Sequence, residues 1–214
     1  MIKAVLFDFD GTLADTLPYY IKAYDVALRS VGFVLDENGI AQKCFGKSEE
    51  VICKNLGIPE KTEVFTKAYF SAVKELFTLA PLFDDTIEVL NFLRDRNVKI
   101  VVITFAYRWY IDQMMSQYTL EPYVDLIISK DDVTNPKPHS EAVVKAIDTL
   151  SITAKESLVV GDSKSDIIMG KAAGSKTVLF TREEYDLFYS FDELKKTNPD
   201  FIVTRLSQIK KLVL

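Results

Sequence analysis

The sequence feature that most limits the possible folds is a short apolar run at the start of the chain that ends in two aspartates. Residues 4–7 are continuously apolar, Asp8 and Asp10 follow, and Gly11 comes where a turn should release the chain. A run of this kind is typical of a strand that is covered on both faces. Because ligands in open α/β sheets bind beyond the carboxyl ends of the strands, both carboxylates are predicted to lie where ligands bind. Read alone, the same residues are equally compatible with a polar turn that closes a buried strand.

The composition of the chain argues against several classes of protein. Its 214 residues can form one sizeable core, or a core with a small accessory domain, and 48% hydrophobic residues are usual for a soluble protein. A net charge of −5 argues against binding to the nucleic-acid backbone. No apolar run approaches the roughly 18 residues of a membrane-spanning helix, and Lys3 lies too close to the two aspartates for a signal peptide. We therefore predict a cytoplasmic protein with no nucleic-acid or membrane partner.

Sulfur and imidazole side chains, which build many metal sites, are scarce in this chain. Cys44 and Cys53 have neither CxxC spacing nor a neighbouring histidine, so we predict that both are reduced packing residues. His139 is the only histidine, and we interpret it as a helix-entry residue without a catalytic role. Neither a zinc site nor a disulfide framework is expected.

The segment from residue 17 to residue 80 has the pattern of several consecutive helices. Pro18 suits the first turn of a helix, and Asp36 and Ser48 are suitable caps for two short helices further on. A longer helix is predicted over residues 59–80, where one apolar stripe recurs at steps of three and four residues: Phe65, Ala68, Tyr69, Ala72, Leu76 and Phe77. We predict that residues 17–80 form an all-helical domain inserted after the first strand.

After Pro81 the pattern changes to an alternation of helices and strands. Apolar and β-branched runs indicate strands at residues 98–103, 126–128, 157–160, 177–180 and 201–203. Helical patterns lie at residues 85–96, from about 107, at 140–150 and at 165–173, and a terminal helix is predicted after the last strand. This alternation predicts an α/β fold with a parallel sheet and helices on both faces. We assign residues 1–16 and 81–214 to this core domain.

Polar residues follow four of the predicted strands where the chain leaves the sheet: Asp8 and Asp10, Thr104, Lys137, and Asp162 with Asp166. A parallel sheet would bring all of them to one edge. Carboxylates gathered there repel one another and raise one another's pKa unless a cation offsets their charge. Oxygen ligands without cysteine or histidine are the set that Mg²⁺ prefers. We therefore predict a magnesium site, against the alternative of a surface Lys137 and two helix-capping aspartates.

The predicted cluster suits the chemistry of a phosphoryl group. The ammonium of Lys137, the hydroxyl of Thr104 and a metal ion would together position phosphoryl oxygens and neutralise their charge, which is the main requirement of phosphoryl transfer. Of the two leading aspartates, one is able to attack phosphorus and the other to handle the proton of the leaving group.

These residues resemble the four motifs of the haloacid dehalogenase superfamily. The similarity is to phosphatases such as the phosphoglycolate phosphatases, which carry a helical cap inserted after the first strand. The motifs are Asp8-Phe9-Asp10-Gly11-Thr12, then Thr104, then Lys137 in Pro136-Lys137-Pro138, then residues 161–166. They occur in the family's order across nearly the whole chain. The resemblance implies a Rossmann-like core and a mobile cap, and it is specific for the superfamily rather than for the substrate.

The resemblance also implies roles for the residues at the strand ends. Asp8 would be the nucleophile that forms an aspartyl-phosphate, and Asp10 would protonate the leaving oxygen and then activate the water. Thr104 and Lys137 would hold the phosphoryl oxygens. Mg²⁺ would be bound by the Asp8 carboxylate, the Asp10 backbone carbonyl and Asp162, with Asp166 close by or in the outer shell.

Further candidates for substrate binding are Thr12, Phe105 through its backbone amide, and Lys47 from a loop of the cap. The family usually has a small or polar residue at the position of Phe105. We predict that the aromatic side chains of residues 105–110 pack the start of a helix, with Arg108 as a weaker candidate for a phosphate contact. The aromatic residues of segment 185–191 could cover a sheet edge or form a self-association patch.

We predict a Mg²⁺-dependent phosphatase that hydrolyses a small soluble phosphomonoester, as a monomer or weak homodimer. A sugar-phosphate mutase is the first alternative, but mutases of this cap class generally carry other residues at the positions of Thr12, Tyr20 and Glu49. A catalytically idle binding protein is the second alternative. Superfamily members that cleave carbon–halogen bonds or phosphonates lack an aspartate at the position of Asp10, so these activities are disfavoured.

Overall fold

The computed structural model describes residues 1–213, and this part of the chain forms two compact units. The first, which we call the core unit, contains residues 1–15, 82–183 and the chain from Tyr189 onward. The second, the helical unit, contains Thr16–Pro81 and Glu184–Phe188. The division into a core domain and a cap domain at residues 16/17 and 80/81 stays a prediction. The compact units differ from it chiefly in the short segment 184–188.

The core unit is built on six strands, all of them parallel to their neighbours. They are β1 (Ala4–Phe7), β2 (Lys99–Ile103), β3 (Leu126–Ile128), β4 (Ser157–Gly161), β5 (Lys176–Phe180) and β6 (Phe201–Val203), in the spatial order β3-β2-β1-β4-β5-β6. This is the strand order of doubly wound dinucleotide-binding folds, in which the order reverses next to β1. The predicted α/β fold with a parallel sheet is therefore confirmed.

Helices alternate with these strands along the chain. They are α5 (Thr86–Asp95), α6 (Arg108–Gln117), α7 (Glu141–Leu150), α8 (Lys164–Ala173) and α9 (Phe191–Lys195). The numbering begins at α5 because four helices of the helical unit precede them in the chain. Every residue of β1 is buried, because its alternate side chains enter the core on opposite faces of the sheet. The predicted terminal helix is a 3₁₀ helix over Leu206–Lys211.

The helical unit contains α1 (Leu17–Ser30), α2 (Glu37–Lys43), α3 (Glu49–Asn55) and α4 (Thr62–Leu76). The caps predicted for two of these helices are present, because Asp36 accepts the Gly39 N–H at 2.8 Å and Ser48 accepts the Val51 N–H at 3.5 Å. The predicted long helix over 59–80 is α4 with a 3₁₀ turn at each end, a common way to satisfy the backbone groups that an α-helix leaves unpaired. Among the described residues, no helix combines the length and hydropathy that a membrane crossing requires.

Aromatic rings provide much of the packing in the helical unit. Tyr24 of α1 stacks on Tyr69 of α4 with ring centroids 4.7 Å apart, and Tyr20 meets Phe77 edge-on at 4.7 Å. Stacked and edge-on pairs at this distance stabilise a core beyond their buried area. Tyr20 also contacts Phe45, so its side chain is part of this aromatic core.

The aromatic segment that follows β5 divides between the two units. Phe188 packs on Phe45 with centroids 4.9 Å apart, and both residues belong to the helical unit. In the core unit, Tyr189 and Phe191 pack against a small cluster of Ile167, Leu179 and Leu194. The second half of this segment thus packs within the core unit, on residues of α8, β5 and α9. The two interpretations from the sequence, a cover for a sheet edge and a self-association patch, stay predictions.

Hydrogen bonds join the two segments of the core unit that flank the helical insertion. Ala14 forms an antiparallel bridge with Leu82, and the Leu13 carbonyl accepts the Phe83 N–H at 3.2 Å and the Thr86 hydroxyl at 2.8 Å. The insertion therefore begins and ends at neighbouring positions of the core unit.

Candidate active site

Asp8 stands at the carboxyl end of β1, on the first residue beyond the strand. Its backbone N–H continues the ladder to β4 by donating to the Val160 carbonyl at 2.8 Å. Its Oδ1 atom accepts the Phe9 N–H at 2.8 Å, and the side chain is only 10% exposed. The central position of β1 therefore presents this carboxylate beside the end of β4, at the reversal of strand order where doubly wound folds bind ligands.

Lys137 joins two of the predicted site carboxylates. Its Nζ lies 2.8 Å from Asp8 Oδ1 and 2.8 Å from Asp166 Oδ1, and its side chain is 4% exposed. Burial alone would lower the pKa of Lys137, but the charges of Asp166 and Asp8 raise it above its ordinary value. The alternative in which Lys137 is a surface residue is therefore wrong.

Asp166 positions Lys137 and caps a helix at the same time. As the third residue of α8 it accepts the backbone N–H of Ser163 at 3.2 Å and the Ser163 hydroxyl at 2.5 Å through Oδ2, while Oδ1 receives Lys137. Each of its two oxygens thus has a partner. The helix-capping interpretation is correct for Asp166, and it does not exclude a place in the site, because the cap holds the carboxylate beside Lys137.

Asp162 directly follows β4 and is buried. The Tyr189 hydroxyl hydrogen-bonds its carboxylate, but its Oδ2 atom is buried with no hydrogen-bond partner among the described residues. Burial and the neighbouring charges of Asp8 and Asp166 raise the pKa of Asp162 well above its ordinary value. A buried carboxylate oxygen without a partner is costly, so this oxygen is suited to bind a cation.

The three carboxylates fit a divalent cation as a group. Asp8, Asp162 and Asp166 each offer an oxygen, and these oxygens all lie within 4.8 Å of one another. Burial, together with Asp166, raises the pKa of Asp8 to about 7 although Lys137 acts in the opposite direction. A single lysine therefore does not neutralise the cluster. An all-oxygen set of this kind suits Mg²⁺.

Asp10 has a partner in a helix that follows a different strand. The Tyr110 hydroxyl donates to Asp10 Oδ1 at 2.6 Å, and Tyr110 is itself buried in the first turn of α6. The prediction that aromatic residues pack the start of this helix therefore applies to Tyr110. Phe105 is 51% exposed, and Tyr107 and Trp109 are also partly exposed.

The remaining predicted residues lie in several environments. Thr104 is buried at the end of β2, where its hydroxyl accepts the Ala106 N–H at 3.0 Å. Thr12 is buried, and its hydroxyl has no hydrogen-bond partner among residues 1–213. Lys47 belongs to the helical unit and donates from Nζ to the Gln42 carbonyl at 2.6 Å, so its substrate contact stays a prediction.

Two residues considered from sequence have other partners in the structure. The Arg108 guanidinium pairs with Asp132 at 2.6 Å and also donates to the Ile127 carbonyl, which argues against its weaker candidacy as a phosphate contact. His139 lies just before α7, where its Nδ1 accepts the Glu141 N–H at 3.2 Å. Both cysteines are free and buried, as expected for packing residues.

Sequence patterns did not identify the contacts of two tyrosines with predicted site carboxylates. Tyr110 reaches Asp10 across 100 residues of chain, and Tyr189 reaches Asp162 from a segment that was interpreted only as a cover or a patch. The sequence contains one weak signal for Tyr110: it lies soon after the second predicted strand, near the edge of the sheet where the site is predicted. No pattern distinguishes it there from Tyr107 or Trp109.

Gly161 occupies the last position of β4, where there is no room for a side chain. A Cβ at this position would lie 2.3 Å from Asp166 Cγ and 2.4 Å from Asp166 Cβ. We expect Gly161→Ala to displace Asp166 and to lower the free energy of unfolding by about 1–3 kcal/mol, the usual cost of overpacking. Urea unfolding should show a smaller cost of the same change in an Asp166→Gly background, which removes both of these atoms. Equal costs in the two backgrounds would mean that Asp166 is not the group displaced.

Comparisons with known proteins agree with this geometry. A family model described as haloacid dehalogenase-like hydrolase matches residues 5–180. The chain is similar to a Clostridium perfringens protein named as a candidate pyrophosphatase, PpaX, with 31% identity over 100% of this chain and 98% of that protein. A solved structure from Bacteroides fragilis, assigned to the haloacid dehalogenase-like hydrolases, has 28% identity and a TM-score of 0.83 and covers 98% of this chain and 100% of its own.

A second solved structure, of a family member from Deinococcus radiodurans, contains bound phosphate and sodium. It is 20% identical, has a TM-score of 0.81, and covers 97% of this chain and 93% of its own. At this identity the likeness is one of fold alone.

Proposed function

Because the chain belongs to the haloacid dehalogenase-like hydrolase family, in its phosphatase branch, we propose that it hydrolyses a small soluble phosphate compound with the help of Mg²⁺. The observation that carries this proposal is the buried cluster in which Lys137 lies 2.8 Å from both Asp8 and Asp166. Asp162 beside it has an unpartnered buried oxygen. Lys137 supplies one positive charge to this cluster, and its three carboxylates are able to hold a divalent cation as well.

The proposed reaction begins with Asp8. Its carboxylate attacks phosphorus, the bond from phosphorus to the leaving oxygen breaks, and Asp10 gives its proton to that oxygen. The Phe9 N–H and Lys137 Nζ both donate to Oδ1 of Asp8, and they hold the carboxylate in one orientation. A nucleophile fixed in this way loses little entropy on reaching phosphorus.

The second step regenerates the enzyme. Asp10, now ionised, takes a proton from water, the resulting hydroxide attacks phosphorus, and the bond between phosphorus and Asp8 breaks to release inorganic phosphate. Lys137 and the Thr104 hydroxyl hold the phosphoryl oxygens in both steps. Asp8, the Asp10 carbonyl and Asp162 are the residues that would hold magnesium, which would supply positive charge to offset that of the phosphoryl group.

We propose a phosphomonoester as the substrate class, and the name of the Clostridium perfringens relative adds inorganic pyrophosphate as a compound to test. We also propose a cytoplasmic location, as predicted from the sequence. A panel of p-nitrophenyl phosphate, phosphoglycolate, sugar phosphates, 5′-nucleotides and pyrophosphate, each with and without Mg²⁺, tests the function. Turnover that requires a sugar bisphosphate activator would identify the mutase alternative, and no turnover of any compound would support the binding-protein alternative.

Removal of the carboxylate that carries the unpartnered Oδ2 atom should weaken magnesium binding. We expect Asp162→Asn to reduce the affinity for Mg²⁺ by at least about tenfold, because even partners outside the ligand set typically contribute 10- to 100-fold. Isothermal titration of the protein with Mg²⁺ in the absence of substrate measures this directly. Asp148→Asn, which removes an exposed carboxylate from α7, is the matched control and should leave the affinity unchanged. An unchanged affinity in Asp162→Asn would refute the proposed metal site.

A further inference from the structure

We infer that Tyr110 is a positioning residue for Asp10 and determines which oxygen of that carboxyl group carries the proton in the reaction. The inference rests on the proposed function, because it concerns the acid–base role of Asp10. The Tyr110 hydroxyl donates to Asp10 Oδ1 at 2.6 Å, a short hydrogen bond between two core-unit residues that lie 100 positions apart in the chain.

The phenol is held firmly by its surroundings. Tyr110 is 4% exposed, and it is followed on the buried side of α6 by Ile111, Met114 and Met115. Its backbone N–H donates to the Tyr107 carbonyl at 3.1 Å at the start of the helix, and its ring meets that of Trp109 edge-on. A hydroxyl on a packed helix has few alternative positions, so it can hold the carboxyl group in one rotamer.

The hydrogen bond has a consequence for the proton. A neutral carboxylic acid has one O–H, and an oxygen that accepts a hydrogen bond from a phenol is favoured as the carbonyl oxygen. With Tyr110 donating to Oδ1, the acidic proton of Asp10 is assigned to Oδ2. Asp10 would then deliver its proton from Oδ2 to the leaving oxygen and later accept a proton from water at the same atom. Positioned acid–base groups contribute typically about 10²- to 10⁴-fold to rates. The choice of the atom that carries the proton should therefore have a large effect on the rate.

Only some substrates depend on this proton. An alkoxide is a poor leaving group and needs protonation as the bond to phosphorus breaks, whereas p-nitrophenolate leaves without it. The ratio kcat/KM includes only the steps up to departure of the leaving group, so it isolates the acid role of Asp10 from the later hydrolysis. A loss of proton positioning should therefore appear as a steeper dependence of kcat/KM on the pKa of the leaving group.

The test uses Tyr110→Phe, which keeps the buried ring and removes the hydroxyl. We expect kcat/KM for alkyl phosphates to fall by about 10- to 100-fold, because Asp10 becomes charged as it gives up its proton and this is the usual effect of a hydrogen bond to a charged group. The value for p-nitrophenyl phosphate should fall by less than about threefold. Asp10→Asn should steepen the dependence in the same way and to a greater extent. Tyr123→Phe removes a hydroxyl from the turn after α6 and should leave the dependence unchanged.

The outcomes separate a failure of this inference from a failure of the proposed function. The positioning role would be overturned if Tyr110→Phe lowered kcat/KM equally for every leaving group while Asp10→Asn still altered the dependence of kcat/KM on the pKa of the leaving group. The proposed function would then remain. An unaltered dependence in Asp10→Asn would show that Asp10 is not the acid, and the proposed mechanism would fail. Thermal unfolding of Tyr110→Phe checks that the fold is retained.

Discussion

Replacement of Asp8 by asparagine should reduce the turnover of p-nitrophenyl phosphate by about 10⁴-fold or more, because an amide oxygen cannot form the aspartyl-phosphate. The fold should survive the change. Asparagine has nearly the same shape, Lys137 keeps its 2.8 Å contact with Asp166, and one of three carboxylates that repel one another is removed. The free energy of unfolding of the metal-free protein should therefore stay the same or increase.

Steady-state turnover and urea unfolding of the same Asp8→Asn preparation measure both expectations. Rapid acid quenching of the wild-type reaction should trap phosphate bound to protein, and Asp8→Asn should trap none. Asp148→Asn again serves as the control, because it removes one negative charge outside the site and should retain full activity. Undiminished turnover in Asp8→Asn would end the proposed mechanism, whatever the stability result.

Replacement of Lys137 by methionine should produce the largest loss of stability. The change leaves Asp8 and Asp166 buried without their shared cation, and removal of one partner from a buried ion pair typically costs about 3–5 kcal/mol. Activity should also be lost, because the ammonium that holds the phosphoryl oxygens is absent. Urea unfolding in the presence of a chelator measures the loss in the free energy of unfolding without interference from bound metal.

The chain offers a matched control for Lys137 at the surface. Lys99 pairs with Asp125 at 2.6 Å, but its side chain is 54% exposed. Because exposed ion pairs contribute at most about 1 kcal/mol, Lys99→Met should lower the free energy of unfolding by less than that amount. Similar small losses in both variants would mean that the Lys137 cluster is not an essential part of the fold. Added Mg²⁺ should offset part of the Lys137→Met loss, because it neutralises the same carboxylates.

The fold was largely predictable because its signals are local and repeated. A buried parallel strand is a continuous apolar run, and the alternation of such runs with helical patterns leaves few topologies other than a doubly wound sheet. The position of the predicted site followed from the same logic, since parallel strands bring their carboxyl ends to one edge. Boundaries were less predictable. The expected helix over 59–80 contains an α-helix only over Thr62–Leu76, because hydrophobic periodicity does not distinguish an α-helical turn from a 3₁₀ turn.

The sequence by itself determined that polar groups at the ends of four strands would face one edge of a parallel sheet, because strand direction decides where each chain segment leaves the sheet. Only the tertiary structure decided how those groups pair. That Lys137 bridges Asp8 and Asp166, that Asp166 also caps α8, and that Tyr110 donates to Asp10 depend on side-chain directions in segments up to 129 residues apart. Such contacts have no period in the sequence, since they arise only when the sheet and its helices pack together.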